Sequence, residues 1–224
     1  MQPTVLFDLD GTLADTSGDL LAAANRCFED MGFGSVLEPL RDAPTALRGG
    51  RAMLRKGLER VDSLSEARIE QYYPVLLEAY ESAISIHTKL FDGVRETVDA
   101  LLKEGYRIGI CTNKPAGLAE KLMAELNFRT PFACLIGADT LPVRKPDPEP
   151  LFEAIRRVGG QPESACLVGD SITDHKTARA AGVPSILVDF GLADQDLSAL
   201  EPEALLTDFR ALRPTLHALS LRPQ

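Results

Sequence analysis

Long apolar runs are missing from this chain: none of its 224 residues lies in a stretch approaching the roughly 18 side chains of a membrane span. The amino-terminal segment also lacks the basic-then-apolar pattern of a secretory signal. A cytoplasmic location without membrane attachment is the expectation. Cysteine is sparse, and the four present (Cys27, Cys111, Cys134, Cys166) are isolated, with neither CxxC spacing nor ligand-like histidine neighbours. Each lies in an apolar stretch, where a buried free thiol is the expected state. Excess positive charge is absent too. Lys and Arg number 24 against 33 Asp and Glu, a net charge of −9, which argues against general nucleic-acid binding. An anionic substrate then needs a metal or local Lys and Arg to create positive potential against that field. Repeats and low-complexity segments are also lacking. What is present, at 45% hydrophobic residues, is an ordinary globular chain long enough for one large domain or a core with an insertion.

The stretch Thr4-Val5-Leu6-Phe7-Asp8-Leu9-Asp10-Gly11-Thr12-Leu13 organises the rest. Val5, Leu6 and Phe7 form an apolar run without polar alternation, the pattern of a strand buried on both faces of a parallel sheet. The run ends in two carboxylates two residues apart, which share a side if the extended conformation persists. Gly11 permits a sharp turn, and Thr12 offers a hydroxyl or a helix cap. Carboxylates held this close repel unless a cation or a shared proton relieves them. Taken alone the motif also reads as simple turn chemistry, whereas a calcium loop requires further oxygen ligands and a late Glu that are not in place.

Helical periodicity predicts a helix from about 18 to 31, then helices near 38–46, 51–60 and 65–83, with no strand signal between 37 and 84. A run of helices without strands reads as a separate small helical unit, residues 15–87. From 91 the texture becomes alternating. Helices at 93–103, 116–126, 148–158 and 173–181 separate strands at 107–112, 134–137, 166–169 and 185–188. A weaker strand near 204–206 and a helix near 208–219 follow. Alternating strands and helices imply parallel strands with right-handed crossovers: an α/β, doubly wound, Rossmann-like parallel sheet with an inserted helical domain. The core is then 1–14 with 88–224.

Polar residues of one chemical theme follow each core strand. The first gives Asp8 and Asp10, and the second Thr112-Asn113-Lys114. The loop after the third contains Arg144-Lys145-Pro146-Asp147-Pro148, with Asp147 as a helix cap. The fourth gives Gly169-Asp170-Ser171, with Asp174 one turn on. Carboxyl ends of parallel strands share one edge, so these groups converge. Hydroxyl, ammonium and paired carboxylates together fit phosphoryl transfer. Each member has a plain alternative as a cap or a solvated loop residue, but four such coincidences at four strand ends favour a site.

These motifs resemble those of the haloacid dehalogenase-like phosphatase superfamily. Asp8-Leu9-Asp10-Gly11-Thr12-Leu13, Thr112-Asn113-Lys114-Pro115, Lys145-Pro146-Asp147-Pro148 and Gly169-Asp170-Ser171-Ile172-Thr173-Asp174 match its four motifs in order. The resemblance covers essentially the whole chain, including a helical cap after the first strand. Within the superfamily the chain is most similar to the phosphoglycolate phosphatase group, through Asp15-Thr16, Arg48-Gly49-Gly50-Arg51-Ala52-Met53 and Lys89-Leu90-Phe91-Asp92-Gly93-Val94. N-acetylmuramic acid 6-phosphate phosphatases share much of this pattern.

The resemblance implies a phosphomonoester hydrolase in which Asp8 forms an aspartyl-phosphate and Asp10 acts as general acid and base. It implies Mg²⁺ held by the Asp8 carboxylate, the Asp10 carbonyl oxygen and Asp170. Thr112, the Asn113 N–H and Lys145 would hold the transferring oxygens, and Asp174 would orient Lys145 or a metal-bound water. In the cap, Arg48 and Arg51 are candidates to pair with the carboxylate of a small acid such as 2-phosphoglycolate. The phosphonatases of the superfamily require a cap lysine. Lys56 is the main candidate, and helical-face solvation accounts for it better. The partner expected is a small phosphorylated metabolite, acting on a monomer or homodimer. A sugar-phosphate phosphatase, a phosphomutase and a receiver-like phosphoacceptor domain are the competing readings. Receivers are shorter, lack an insertion and do not carry the acceptor on the first strand.

Overall fold

The computed structural model describes residues 2–190 and 196–223. The chain divides into two compact units, Met1–Ala14 with Leu90–Gln224 and Asp15–Lys89. Strand β1 (Thr4–Phe7) opens the first, with all four residues buried. After a tight turn, the two-residue strand β2 (Ala14–Asp15) leads into the second unit.

That unit holds four helices, α1 (Ser17–Asp30), α2 (Pro39–Ala46), α3 (Gly50–Arg60) and α4 (Glu66–Ser82). Leu20, Leu21, Ala24, Cys27 and Phe28 bury one stripe of α1, and Ile69, Leu76 and Tyr80 one stripe of α4, as a 3.6-residue period requires. Gly57 of α3 faces Phe28. A Cβ there would come within 2.1 Å of the ring, so its absence lets α1 and α3 approach. Asp42 is fully buried and joins α2 to α3 by a two-oxygen pairing with Arg60 (2.8 and 2.9 Å) and a contact to Lys56 at 3.0 Å. These cations and the Glu38 N–H hold its carboxyl far below the usual range against the opposing effect of burial. At the far end of the unit, the His87 and Thr88 N–H groups donate to the buried Asp19 carboxylate, each at 2.9 Å. Those bonds keep residues 87 and 88 with the helices, so the boundary falls two residues beyond the position read from periodicity.

Strand β3 (Lys89–Leu90) pairs with β2. The chain then alternates through α5 (Val94–Lys103), β4 (Arg107–Cys111), α6 (Ala116–Glu125), β5 (Leu135–Ile136) and α7 (Glu149–Arg157). It continues through β6 (Ala165–Gly169), α8 (Ile172–Ala181), β7 (Ser185–Val188), β8 (Ala204–Leu206) and α9 (Leu212–Ala218). The main sheet has six parallel strands in the order β5-β4-β1-β6-β7-β8. Strand order therefore reverses at β1, the position where open α/β sheets bind ligands. Alternation along β1 sends neighbouring side chains to opposite faces. Leu6 joins Leu151, Ile155 and Leu167 in the core beneath α7 and α8. Phe7 meets Phe132 and Phe209, with ring centroids 6.1 and 6.0 Å away. Both faces are thus covered.

Helix starts shift as well. The helix read from 208 begins as a 3-10 turn, Phe209–Ala211, where the Asp208 carboxylate accepts the Arg210 N–H at 2.9 Å. Helix α7 starts at Glu149, one residue late. The Asp147 carboxylate accepts the Glu149 N–H at 2.9 Å from outside the cap position. Among the described residues, no helix is long and apolar enough to cross a membrane. All four cysteines are free and buried.

Candidate active site

The register aligns Phe7 with Ile110 of β4 and Val168 of β6, so the residues following these strands emerge side by side. The Asp8 N–H donates to the Val168 carbonyl at 2.8 Å, the last tie to the ladder before the chain turns. Gly11 then takes φ +79°, left-handed backbone that a Cβ disfavours. The Leu9 carbonyl accepts the Thr12, Leu13 and Ala14 N–H groups, which closes the turn.

Lys145 reaches this edge from the loop after β5. Its ammonium is buried, 2.6 Å from Asp174 Oδ1, 2.8 Å from the Cys111 carbonyl and 3.1 Å from Asp8 Oδ2. The Asn113 side-chain amide donates to the Lys145 carbonyl at 2.9 Å and fixes that loop to β4. Asp174 is placed by the start of α8. Ser171 and Asp174 form a reciprocal capping box, the Ser171 hydroxyl donating to Asp174 Oδ2 at 2.5 Å. Gly169 lets this helix sit close, since a Cβ there would lie 2.4 Å from Asp174. Asp170 accepts the Thr12 hydroxyl at 2.8 Å.

Asp8, Asp170 and Asp174 each present an oxygen within 4.8 Å of the others. Asp174 is satisfied by Lys145 and Ser171, whereas Asp8 and Asp170 are not fully neutralised. Burial raises Asp8 to about 6, opposed by Lys145 and the Thr112 hydroxyl and reinforced by Asp174 and Asp10. Burial likewise lifts Asp170 well above the carboxylate range, with Asp174 and Asp8 adding to it. Lys145, despite burial, is pushed upward by Asp174 and Asp8 and stays charged. An all-oxygen set with negative charge in excess fits a hard divalent cation on Asp8 and Asp170. Cys111 adjoins the site, but burial pushes its thiol up to about 12, which makes it inert as a nucleophile.

Asp8, Thr112, Asn113, Lys145, Asp170 and Asp174 thus gather at one sheet edge. Asp10 joins them through a contact that sequence reasoning left unassigned, its Oδ1 lying 2.8 Å from the Lys114 ammonium. Thr12 as the partner of Asp170 was likewise open, since a hydroxyl at a turn does not announce its acceptor. In the helical unit, Arg51 is engaged by Glu70 through two bonds (2.7 and 2.9 Å) and lies 3.6 Å over the Tyr73 ring. Arg48 is exposed at the end of α2. Lys56 is held by Asp42 and by the Thr45 hydroxyl at 2.8 Å.

Residues 5–188 match the family described as haloacid dehalogenase-like hydrolase. The chain belongs to the haloacid dehalogenase-like hydrolases. Among curated members of this family, it is 36% identical over 219 residues to a phosphoglycolate phosphatase of Agrobacterium fabrum, covering 96% of this chain and 93% of the relative. A phosphoglycolate phosphatase of Xylella fastidiosa is 40% identical over 193 residues, 84% of this chain and 80% of the relative. Solved structures of the haloacid dehalogenase type share the architecture. A predicted phosphoglycolate phosphatase from Haemophilus somnus superposes with a TM-score of 0.84 at 22% identity, covering 95% of this chain and 97% of that one. A hydrolase of the superfamily from Geobacter sulfurreducens gives 0.71 at 25% identity, covering 96% of each chain.

Proposed function

We propose that this protein is a Mg²⁺-dependent phosphomonoester hydrolase acting through an aspartyl-phosphate on Asp8, with 2-phosphoglycolate as its substrate. The observation carrying this reading is a carboxylate at the sheet's switch point, faced by a buried lysine and flanked by a second under-neutralised carboxylate. Curated relatives named phosphoglycolate phosphatase support the substrate.

Asp8 attacks phosphorus, and its new oxygen–phosphorus bond forms as the bond to the substrate's ester oxygen breaks. Asp10 gives a proton to that departing oxygen. In the second half, Asp10 takes a proton from the water that displaces Asp8. Thr112, the Asn113 backbone N–H and Lys145 hold the phosphoryl oxygens, and Asp174 orients Lys145. Asp8 and Asp170, with the Asp10 carbonyl, would hold Mg²⁺, which when bound offsets the repulsion between Asp8 and a phosphate of about −1.5 to −2 charge. At about 4 Å and an effective dielectric near 20, each such pair of like charges costs about 4 kcal/mol. In the cap, Arg48 and Arg51 are the residues to test for pairing with the substrate carboxylate.

The deciding measurement is Mg²⁺-dependent phosphate release from a set of small phosphomonoesters by wild-type and Asp8→Asn protein. The set includes 2-phosphoglycolate, N-acetylmuramate 6-phosphate and hexose phosphates. Preferential turnover of 2-phosphoglycolate, abolished by D8N, is expected. Wild-type speed in D8N overturns the reading.

A further inference from the structure

We infer that Lys114 is the positioning residue for Asp10, holding one carboxylate oxygen so that the other carries the proton exchanged with the leaving group. This deepens the hydrolase reading and rests on Asp10 being its acid.

The Lys114 side chain is 4% exposed and that of Asp10 18%, and Lys114 Nζ lies 2.8 Å from Asp10 Oδ1. The two residues are 104 positions apart, on the loops that follow β4 and β1. Both the backbone and the neighbourhood of Lys114 are fixed. Its N–H donates to the Thr112 hydroxyl oxygen at 3.2 Å, and its carbonyl accepts the Ala138 N–H at 3.0 Å. Two residues on, the Ala116 N–H donates to Asp139 at 2.8 Å. Gly137 permits this packing, since a Cβ there would sit 2.5 Å from the Ala116 backbone nitrogen. The ammonium is therefore presented from a rigid loop.

A general acid must lie within roughly 2.6–3.2 Å of the oxygen it protonates. A carboxylate has two torsions with which to miss that target, and Asp10 sits on a turn rather than on a strand. A charge-assisted bond to a buried lysine removes that freedom. Oδ1 accepts from Lys114, which leaves Oδ2 to carry the proton. When the ester bond breaks, the proton passes from Oδ2 to the departing alkoxide. It is regained when Asp10 deprotonates the attacking water. The nucleophile and the acid each have their own lysine, Lys145 for Asp8 and Lys114 for Asp10. A purely structural ion pair between two loops is the competing explanation, and it makes a different prediction.

Proton donation matters for a poor leaving group and little for a good one. The test compares kcat/KM, which reports phosphoryl transfer to Asp8, for 2-phosphoglycolate and p-nitrophenyl phosphate at saturating Mg²⁺. Wild type, K114M, K114Q, K114R and D10N are measured, with thermal unfolding confirming that each is folded. General acid catalysis supplies roughly 10²–10⁴-fold, so K114M should lose at least about 10-fold more on 2-phosphoglycolate than on p-nitrophenyl phosphate. K114R, which keeps charge and donors, should recover most of that difference. If K114M does not fold, K114Q carries the same comparison. Equal losses on both substrates in the Lys114 variants, with a selective loss in D10N, overturn this inference alone. Equal losses in D10N overturn the acid assignment and this inference with it.

Discussion

Asp8 is held at about 6 by burial, which fixes the sign of two pH effects. A carboxyl raised in the folded state favours the fold when protonated. Without a cation, its contribution is fully present below its ordinary value of 3.8 and is lost as pH rises through about 6. A divalent cation prefers the ionised form. Its apparent affinity should climb with pH until Asp8 and Asp170 are both ionised, by up to about tenfold per pH unit for each carboxyl that must lose its proton. Calorimetric Mg²⁺ titration from about pH 5 to about pH 8 checks this, and a flat dissociation constant contradicts it. Lys145 gives a second prediction. Lys145→Met leaves Asp174 buried without its cation, and breaking such a pair costs about 3–5 kcal/mol. The variant should therefore unfold at lower denaturant and lose turnover together, read from chemical denaturation beside an activity assay.

Element by element, the glycines and caps say where helices must sit. In Ser171→Ala the reciprocal cap of α8 is lost, at a cost of about 0.5–2 kcal/mol. Because the same hydroxyl positions Asp174, kcat should fall even where the protein remains folded, measured at a temperature well below its melting transition. In the helical unit, Gly57→Ala forces the Phe28 ring away from α3. Overpacking of this kind costs about 1–3 kcal/mol, visible as a lower Tm in differential scanning calorimetry. At this scale the sequence was largely readable. The four helices of the insertion and the core strands had apolar periods long enough to define them, with ends displaced by only a residue or two. The two-residue strands Ala14–Asp15 and Lys89–Leu90 carry no period to detect. Long-range partners were equally hidden. Nothing local to Thr12, Lys114 or Asp19 indicates that each binds a group made elsewhere in the chain. The gathering of Asp8, Thr112, Lys145 and Asp170, by contrast, followed from knowing that parallel strands end together.

For the whole molecule, a net charge of −9 means that an anionic substrate meets an unfavourable overall field, so local cations must supply the attraction. Chelation should abolish phosphate release, and added Mg²⁺ should restore it. At a concentration 100 times its dissociation constant the ion should also stabilise the fold by about 2.7 kcal/mol, seen as a rise in melting temperature. The strand order carries a consequence for the chain's emergence from the ribosome. Asp8 is made before its neighbours on the sheet edge, which follow β4, β5 and β6. A nascent polypeptide that has not reached Asp170 and Asp174 has Asp8, the proposed nucleophile, but neither the rest of the acid cluster nor the anchor of Lys145. Under the proposed mechanism, a chain cut before Asp174 lacks this cluster and should release no phosphate from small phosphate esters.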